Sequence, residues 1–219
     1  VLFARSELLR SDEIERAENW PAANGYPRGV ELETVNIQPL GWKEFVANSA
    51  DRCYFCKFRI YTLFRERMEK RGFLLLADGT NIDDLKSARP GLRAIHELGV
   101  RMPLVEAGLD KNEVRRLSRQ MGLADWNRPS SSCLATRIPA GLQITGERLD
   151  RVRHWEEGLE RFGFVGCRVR MDRHDPAAVS VQLADADFGQ LKDPGIRLSL
   201  LRFFRSSGIR RVLVDLEGR

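Results

Sequence analysis

Three of the four cysteines in this 219-residue chain lie where a thiol could do chemistry. Cys53 and Cys56 stand in DRCYFCKF, residues 51–58. On a helix, positions i and i+3 are neighbours, so both thiols share one face. That pair alone fits a redox couple, half of a metal site, or two small helix residues. Cys133 lies in RPSSSCLATRIPAG, residues 128–141, four positions before Arg137. A nearby cation lowers a thiol pKa and favours the thiolate. The same stretch also reads as a linker with an incidental thiol. If it folds onto the face of Cys53 and Cys56, three thiolates meet. Three thiolates leave one open position on a tetrahedral metal or a [4Fe–4S] cluster. No fourth Cys or His lies nearby in sequence to close a structural zinc site. Cys167 shares a strand face with Val169 and Met171 and reads as a buried core thiol.

A second candidate is LADGTNIDD, residues 76–84. Asp78, Gly79, Asn81 and Asp83 follow an apolar run, where a parallel strand would present them at its carboxyl end. Carboxylates and amides placed there suit ribose hydroxyls or a magnesium ion. Asp, Asn and Gly are also turn formers, so a capped turn is the competing reading. Arg168 and Arg170 alternate with Val169 on one strand and project side by side. Such a pair can grip a phosphate or carboxylate, or simply line a solvated sheet face. Glu156 borders an apolar helix stripe and is open to either burial or exposure. His96, His154 and His174 show no metal-ligand spacing and read as surface residues.

The elements that must position these residues alternate. Strands are expected at 1–4 and 32–37, a helix at 54–71, and a doubly buried strand at 73–77. Ser11 or Asp12 is the expected cap of the first helix, which Pro21 and Gly25 should end. Short helices follow from Pro90 to Gly99 and over 111–121, the latter capped by Asp110 and Glu113. Alternation of strand and helix over residues 1–127 argues for an open parallel α/β sheet. Residues 128–146 read as a connecting loop, and 147–219 as a small α+β domain of order α-β-β-α-β, in the ferredoxin-like manner. Its first helix, 145–163, carries Leu149, Val152, Trp155, Leu159 and Phe162 on one stripe.

Composition bounds the partners. The net charge is +5, which suits an anionic partner. The aromatics are not interleaved with basic residues as stacking platforms, which argues against a nucleic-acid face. No apolar run approaches the ~20 residues that cross a bilayer. Four cysteines in a chain this long make no disulfide scaffold, so a reducing, cytoplasmic setting is expected.

Five stretches occur in order: SELLRSDEIERA (6–17), DRCYFCK (51–57), LADGTNIDDLKSARPGLRAIHELGV (76–100), PLVEAGLDKNEVRRLSRQMGL (103–123) and RPSSSCLATRIPAG (128–141). With GFVGCRVR (163–170), they make the chain resemble the ATP-dependent sacrificial sulfur transferase family LarE. That family belongs to the PP-loop ATP pyrophosphatases, of adenine nucleotide alpha hydrolase-like fold. The resemblance implies adenylation of a carboxylate on a pyridinium dicarboxylate mononucleotide. Sulfur delivery then yields a thiocarboxylate on the way to the nickel-pincer nucleotide of lactate racemase. In one branch a cysteine gives up its own sulfur and becomes dehydroalanine; in the other, three cysteines hold a [4Fe–4S] cluster. Cys53, Cys56 and Cys133 place this chain with the cluster branch.

Carried over to this chain, Asp78, Gly79, Asn81 and Asp83 would serve the nucleotide side, with ATP and Mg2+. Cys133, Arg137 and Glu156 would be catalytic. Arg168 and Arg170 would lie in the substrate or phosphate pocket, although the residues that follow, Asp172 to Asp175, depart from the family's spacing. A sulfide or other sulfur donor and a trimer-based homo-oligomer are also implied. The family's opening strand and its S-G-G-x-D-S phosphate loop have no counterpart in these residues. The chain is therefore expected to be a fragment, lacking an interior strand and unable by itself to bind ATP tightly. Two further readings stay open: a PP-loop enzyme that thiolates tRNA, and a non-enzymatic iron- or zinc-binding subunit.

Overall fold

A computed structural model of the chain describes all residues except 26–28, 87–88 and 219. It is mixed α/β and divides into two compact units, Val1–Arg128 and Pro129–Arg219.

In the first unit, β1 (Leu2–Arg5) pairs in parallel with β2 (Glu33–Asn36), with Leu2 opposite Glu33. Between them runs α1 (Ser11–Asn24). Its N-cap is Arg10 and not Ser11 or Asp12: the Arg10 backbone N–H donates to Glu13 at 3.2 Å, which places Ser11 inside the first turn. Nor does Pro21 end the helix, which continues to Asn24. Gly25, at φ 63°, adopts the left-handed conformation that closes it.

After the short α2 (Lys43–Val46) comes α3 (Arg52–Lys70), which brings Phe64, Ile60 and Tyr61 against Val35 of β2 and Ile37 just beyond it. Next come α4 (Ile82–Leu85), α5 (Pro90–Glu97), α6 (Pro103–Glu106) and α7 (Lys111–Gln120). Asp110 and Glu113 form the expected capping box on α7. Among the described residues, no helix is long and apolar enough to cross a membrane.

The expected buried strand at 73–77 does not form. Phe73, Leu74 and Leu75 are exposed, Leu74 by 90%. Ladder pairing is confined to an isolated parallel bridge between Ala77 and Arg101, closed by Arg101 N–H to Leu76 O at 2.8 Å and Asp78 N–H to Arg101 O at 3.0 Å. An apolar run makes a strand only where a neighbour supplies the ladder, and here that neighbour is one residue long. The parallel sheet is accordingly small.

The second unit opens with irregular backbone and a 3₁₀ turn at Leu134–Arg137, then α8 (Gly146–Arg161). Thr145 caps α8 through its hydroxyl, 3.3 Å from the Arg148 backbone N–H. Leu149, Val152, Trp155 and Leu159 are buried as the stripe requires. Next, β3 (Arg168–Met171) pairs antiparallel with β4 (Ala178–Gln182), and β5 (Arg211–Val214) pairs in parallel with β4 after α9 (Pro194–Ser206). A 3₁₀ segment at Asp185–Lys192, unforeseen in the sequence, precedes α9. The sheet has three strands in the order β3-β4-β5. It is therefore not ferredoxin-like, because β5 lies directly beside β4 and no fourth strand is present among the described residues.

Helices α8 and α9 approach at Gly158, where a Cβ would sit 2.0 Å from the Phe203 ring. Gly158→Ala should therefore force Phe203 aside and cost about 1–3 kcal/mol, read as a lower urea midpoint. An unchanged midpoint would show that this contact is loose.

Candidate functional site

Cys133 sits at the start of the 3₁₀ turn, half-buried and outside any disulfide. What surrounds it is an arginine cage for the backbone. The Arg137 guanidinium is almost wholly buried, at 4% exposure. Its Nη1 donates to Ser132 O and Ser132 Oγ, both at 2.7 Å, to Thr136 Oγ1 at 2.9 Å and to Cys133 O at 3.3 Å. The Thr136 hydroxyl in turn donates to Cys133 O at 2.9 Å.

Glu156, wholly buried on α8, neutralises this arginine. Arg137 Nε donates to Glu156 Oε1 at 2.7 Å and Nη2 donates to Oε2 at 3.1 Å, a bidentate pair. The Val169 backbone N–H also donates to Glu156 Oε1, at 2.9 Å. The sequence left Glu156 between burial and exposure. The structure buries it, and the partner that makes burial tolerable is Arg137. Cys167 is buried as expected, its thiol directed at Glu156 O at 3.8 Å.

On the opposite face of β3 from Val169, Arg168 Nη2 donates to Ser130 O at 3.4 Å and Arg170 Nη1 to Thr136 O at 2.8 Å. Arg170 Nε donates to Gln182 Oε1 at 3.3 Å, and Gln182 Nε2 to Asp215 Oδ2 at 2.7 Å. That amide, and next the Glu217 backbone N–H, hold the Asp215 carboxyl below the usual carboxylate range. Sequence reasoning singled out Arg168 and Arg170 but missed Ser132, Thr136, Gln182 and Asp215. Gln182 lies opposite Arg168 in the strand register, a pairing that no sequence spacing reveals.

In the first unit, Cys53 and Cys56 are half-buried thiols, outside any disulfide, one turn apart near the start of α3. Arg52 Nη2 lies 3.8 Å from the Cys53 sulfur. Helix α5 docks here: a Cβ on Gly91 would meet Lys57 Cδ at 2.9 Å and Cys53 O at 3.5 Å. The Arg93 guanidinium stacks 3.9 Å from the Tyr54 ring centroid. As donors, two adjacent thiols fit an iron–sulfur centre. Among the described residues, however, no group of three or more His, Cys, Asp or Glu is gathered as a metal site. Cys53 and Cys56 belong to the first unit and Cys133 to the second.

The 78–84 cluster is held in local hydrogen bonds. Asp78 Oδ2 accepts from Tyr61 Oη at 2.8 Å and Thr80 Oγ1 at 2.9 Å, and Oδ1 accepts from the Thr80 backbone N–H at 3.0 Å. Lys57 Nζ stands 3.9 Å away. Asn81 caps α4 by accepting the Asp83 N–H at 3.0 Å. The Asp83 carboxylate accepts from Lys86 Nζ at 2.6 Å and from the Lys111 backbone N–H at the start of α7 at 3.0 Å. Gly79 is open around its Cα, with nothing within 4 Å of a Cβ. His96, His154 and His174 are exposed.

No family model matches the chain. It is 33% identical to the uncharacterized protein slr1717 of Synechocystis over its whole length and 79% of that relative's. The chain belongs to the family of slr1717. A pyridinium-3,5-bisthiocarboxylic acid mononucleotide synthase from Lactiplantibacillus plantarum is 29% identical over all of this chain and 76% of the synthase. The uncharacterized protein MJ0830 of Methanocaldococcus jannaschii is 26% identical over 84% of this chain and 69% of that protein. The match to the synthase along the whole of this chain supports the LarE-like relationship indicated by the motifs.

Two outcomes follow from these networks. Glu156→Ala strands a buried guanidinium and should cost about 3–5 kcal/mol by urea unfolding; a loss under about 1 kcal/mol would show that the pair is solvated. Burial, and next the charge and hydrogen bond of Asp78, push the Tyr61 phenol well above its ordinary value. A folded-state pKa raised above the unfolded one gives stability that is complete below about pH 10 and lost as pH rises further. Tyr61→Phe should therefore flatten the fall in unfolding free energy above about pH 10; an equally steep fall there would assign it to other groups.

Proposed function

We propose that this protein is an ATP-dependent sulfur transferase of the LarE type, acting on a pyridinium dicarboxylate mononucleotide. The observation that carries this reading is the similarity, along the whole of this chain, to 76% of a pyridinium-3,5-bisthiocarboxylic acid mononucleotide synthase. It is joined to Cys133, a thiol outside any disulfide, on a loop whose carbonyls are gripped by arginines.

The chemistry runs in two displacements. A substrate carboxylate attacks the α-phosphorus of ATP and pyrophosphate leaves; Mg2+, held on the side of Asp78 and Asp83, would offset the phosphate charge. A sulfur nucleophile then adds to the acyl carbon and AMP leaves, giving a thiocarboxylate. Asp78, Gly79, Asn81 and Asp83 serve the nucleotide side at the end of the 73–77 run. Cys133 serves the sulfur side, where Arg137 and Glu156 hold its loop still. Arg168 and Arg170 offer positive charge to the substrate phosphate. The second terminal nitrogen of Arg170 has no partner among the described residues, so an anion can approach it without breaking the bond to Thr136. Cys53, Cys56 and Cys133 would hold a [4Fe–4S] cluster, which when bound supplies inorganic sulfide in place of a cysteine sulfur. This reading treats residues 1–127 as the PP-loop-like domain, 128–146 as the cysteine-bearing loop and 147–219 as the substrate and oligomerisation domain. It places a trimer-based oligomer in the cytoplasm.

The test uses the protein expressed from its complete gene, with ATP, Mg2+, sulfide and the pyridinium dicarboxylate mononucleotide under anaerobic conditions. Sulfur-dependent AMP release and a thiocarboxylate product, identified by mass spectrometry, are expected. Cys133→Ala should abolish the product while the fold persists. Full sulfur transfer by that variant would sink the mechanism.

A further inference from the structure

We propose that Gln182 and Asp215 are positioning residues for Cys133, acting through Arg170 on the loop that carries the thiol. The catalytic consequence rests on the sulfur-transfer reading; the positioning itself does not.

The loop from 130 to 137 has little regular structure to hold it, so its carbonyls need outside donors. Four of them find arginines: Ser130 O from Arg168, Ser132 O and Cys133 O from Arg137, and Thr136 O from Arg170. A guanidinium is a rigid planar fork, so fixing one nitrogen orients the others. Arg137 is fixed by Glu156 in the core. Among the described residues Arg170 has no carboxylate in hydrogen-bond contact, and its Nε is fixed by Gln182 Oε1.

That arrangement works only if the amide oxygen of Gln182 faces Arg170. Asp215 ensures this orientation. A carboxylate accepts only, so it draws the Gln182 NH₂ towards itself at 2.7 Å and turns the oxygen to Arg170. Asp215 is held in its own place: its backbone N–H donates to Val181 O at 2.9 Å, and its Oδ1 accepts the Glu217 N–H at 3.2 Å. A continuous run of bonds therefore leads from the end of β5 through Gln182 and Arg170 to Thr136. The Thr136 hydroxyl ends it on the carbonyl of Cys133. Losing Gln182 loosens this outer anchor while the buried Arg137–Glu156 pair keeps the unit folded.

The experiment measures the rate of Cys133 alkylation by iodoacetamide in the intact protein, by peptide mass mapping, as a function of pH. Gln182→Met should raise that rate roughly five-fold, the size of one lost hydrogen bond, with little change in melting temperature. Arg170→Lys, which cannot bridge Gln182 and Thr136 as a planar fork, should do the same. The double variant Gln182→Glu with Asp215→Asn keeps an acceptor for Arg170 and a donor towards it at 215. It should return the rate and its pH profile to the wild-type values. An unchanged rate in both Gln182→Met and Arg170→Lys overturns the proposal, as does a double variant that behaves like Gln182→Met. Because alkylation needs no substrate, an enzyme that fails to transfer sulfur would leave this result standing. Normal sulfur transfer with unchanged alkylation would overturn the positioning alone.

Discussion

Arg137 and Glu156 share two hydrogen bonds inside a core of leucine, valine and tryptophan, and the second unit depends on their pairing. Either charge alone would be costly to bury; together, with Val169 N–H and the loop acceptors satisfying the remaining valences, they are tolerable. The pair joins three parts of the unit that are distant in sequence: the Cys133 loop, helix α8 and strand β3. Hydrophobic packing could hold α8 on the sheet without it. Only directional bonds can hold an irregular eight-residue stretch of backbone in one conformation, because such backbone has no ladder of its own.

The same constraint explains why so many arginines converge on one loop. Carbonyl oxygens point outward from extended backbone, and a guanidinium can reach several at once. Arg137 does so from within, Arg168 and Arg170 from the sheet face. The thiol of Cys133 is thus presented on a scaffold stiffer than its composition suggests.

In the first unit the polar residues settle elsewhere. Asp83 ties α4 to the start of α7, and Asp78 anchors Tyr61 of α3 to the loop after the 73–77 run. These bonds use the lone pairs that the sequence offered to a nucleotide, so the capped-turn reading of LADGTNIDD describes its conformation in this structure. Within that turn Gly79 stays open, with nothing within 4 Å of a Cβ.

Most helices were legible from periodicity and caps: Asp110 with Glu113 and the Leu149–Leu159 stripe follow from local chemistry. The thiols were legible as well, since CxxC on a helix and a cysteine among small loop residues are local signals. The 73–77 run was misread because strand formation needs a neighbour, and an apolar pattern cannot supply one. Glu156 was ambiguous for the same reason: its burial depends on an arginine nineteen residues away. By itself the sequence determined which residues carry reactive groups and which helix faces are apolar. Tertiary structure alone decided that Arg137 meets Glu156, and that Gln182 turns its oxygen to Arg170. Charge pairing and strand register act through space, between residues whose separation along the chain carries no trace of their contact.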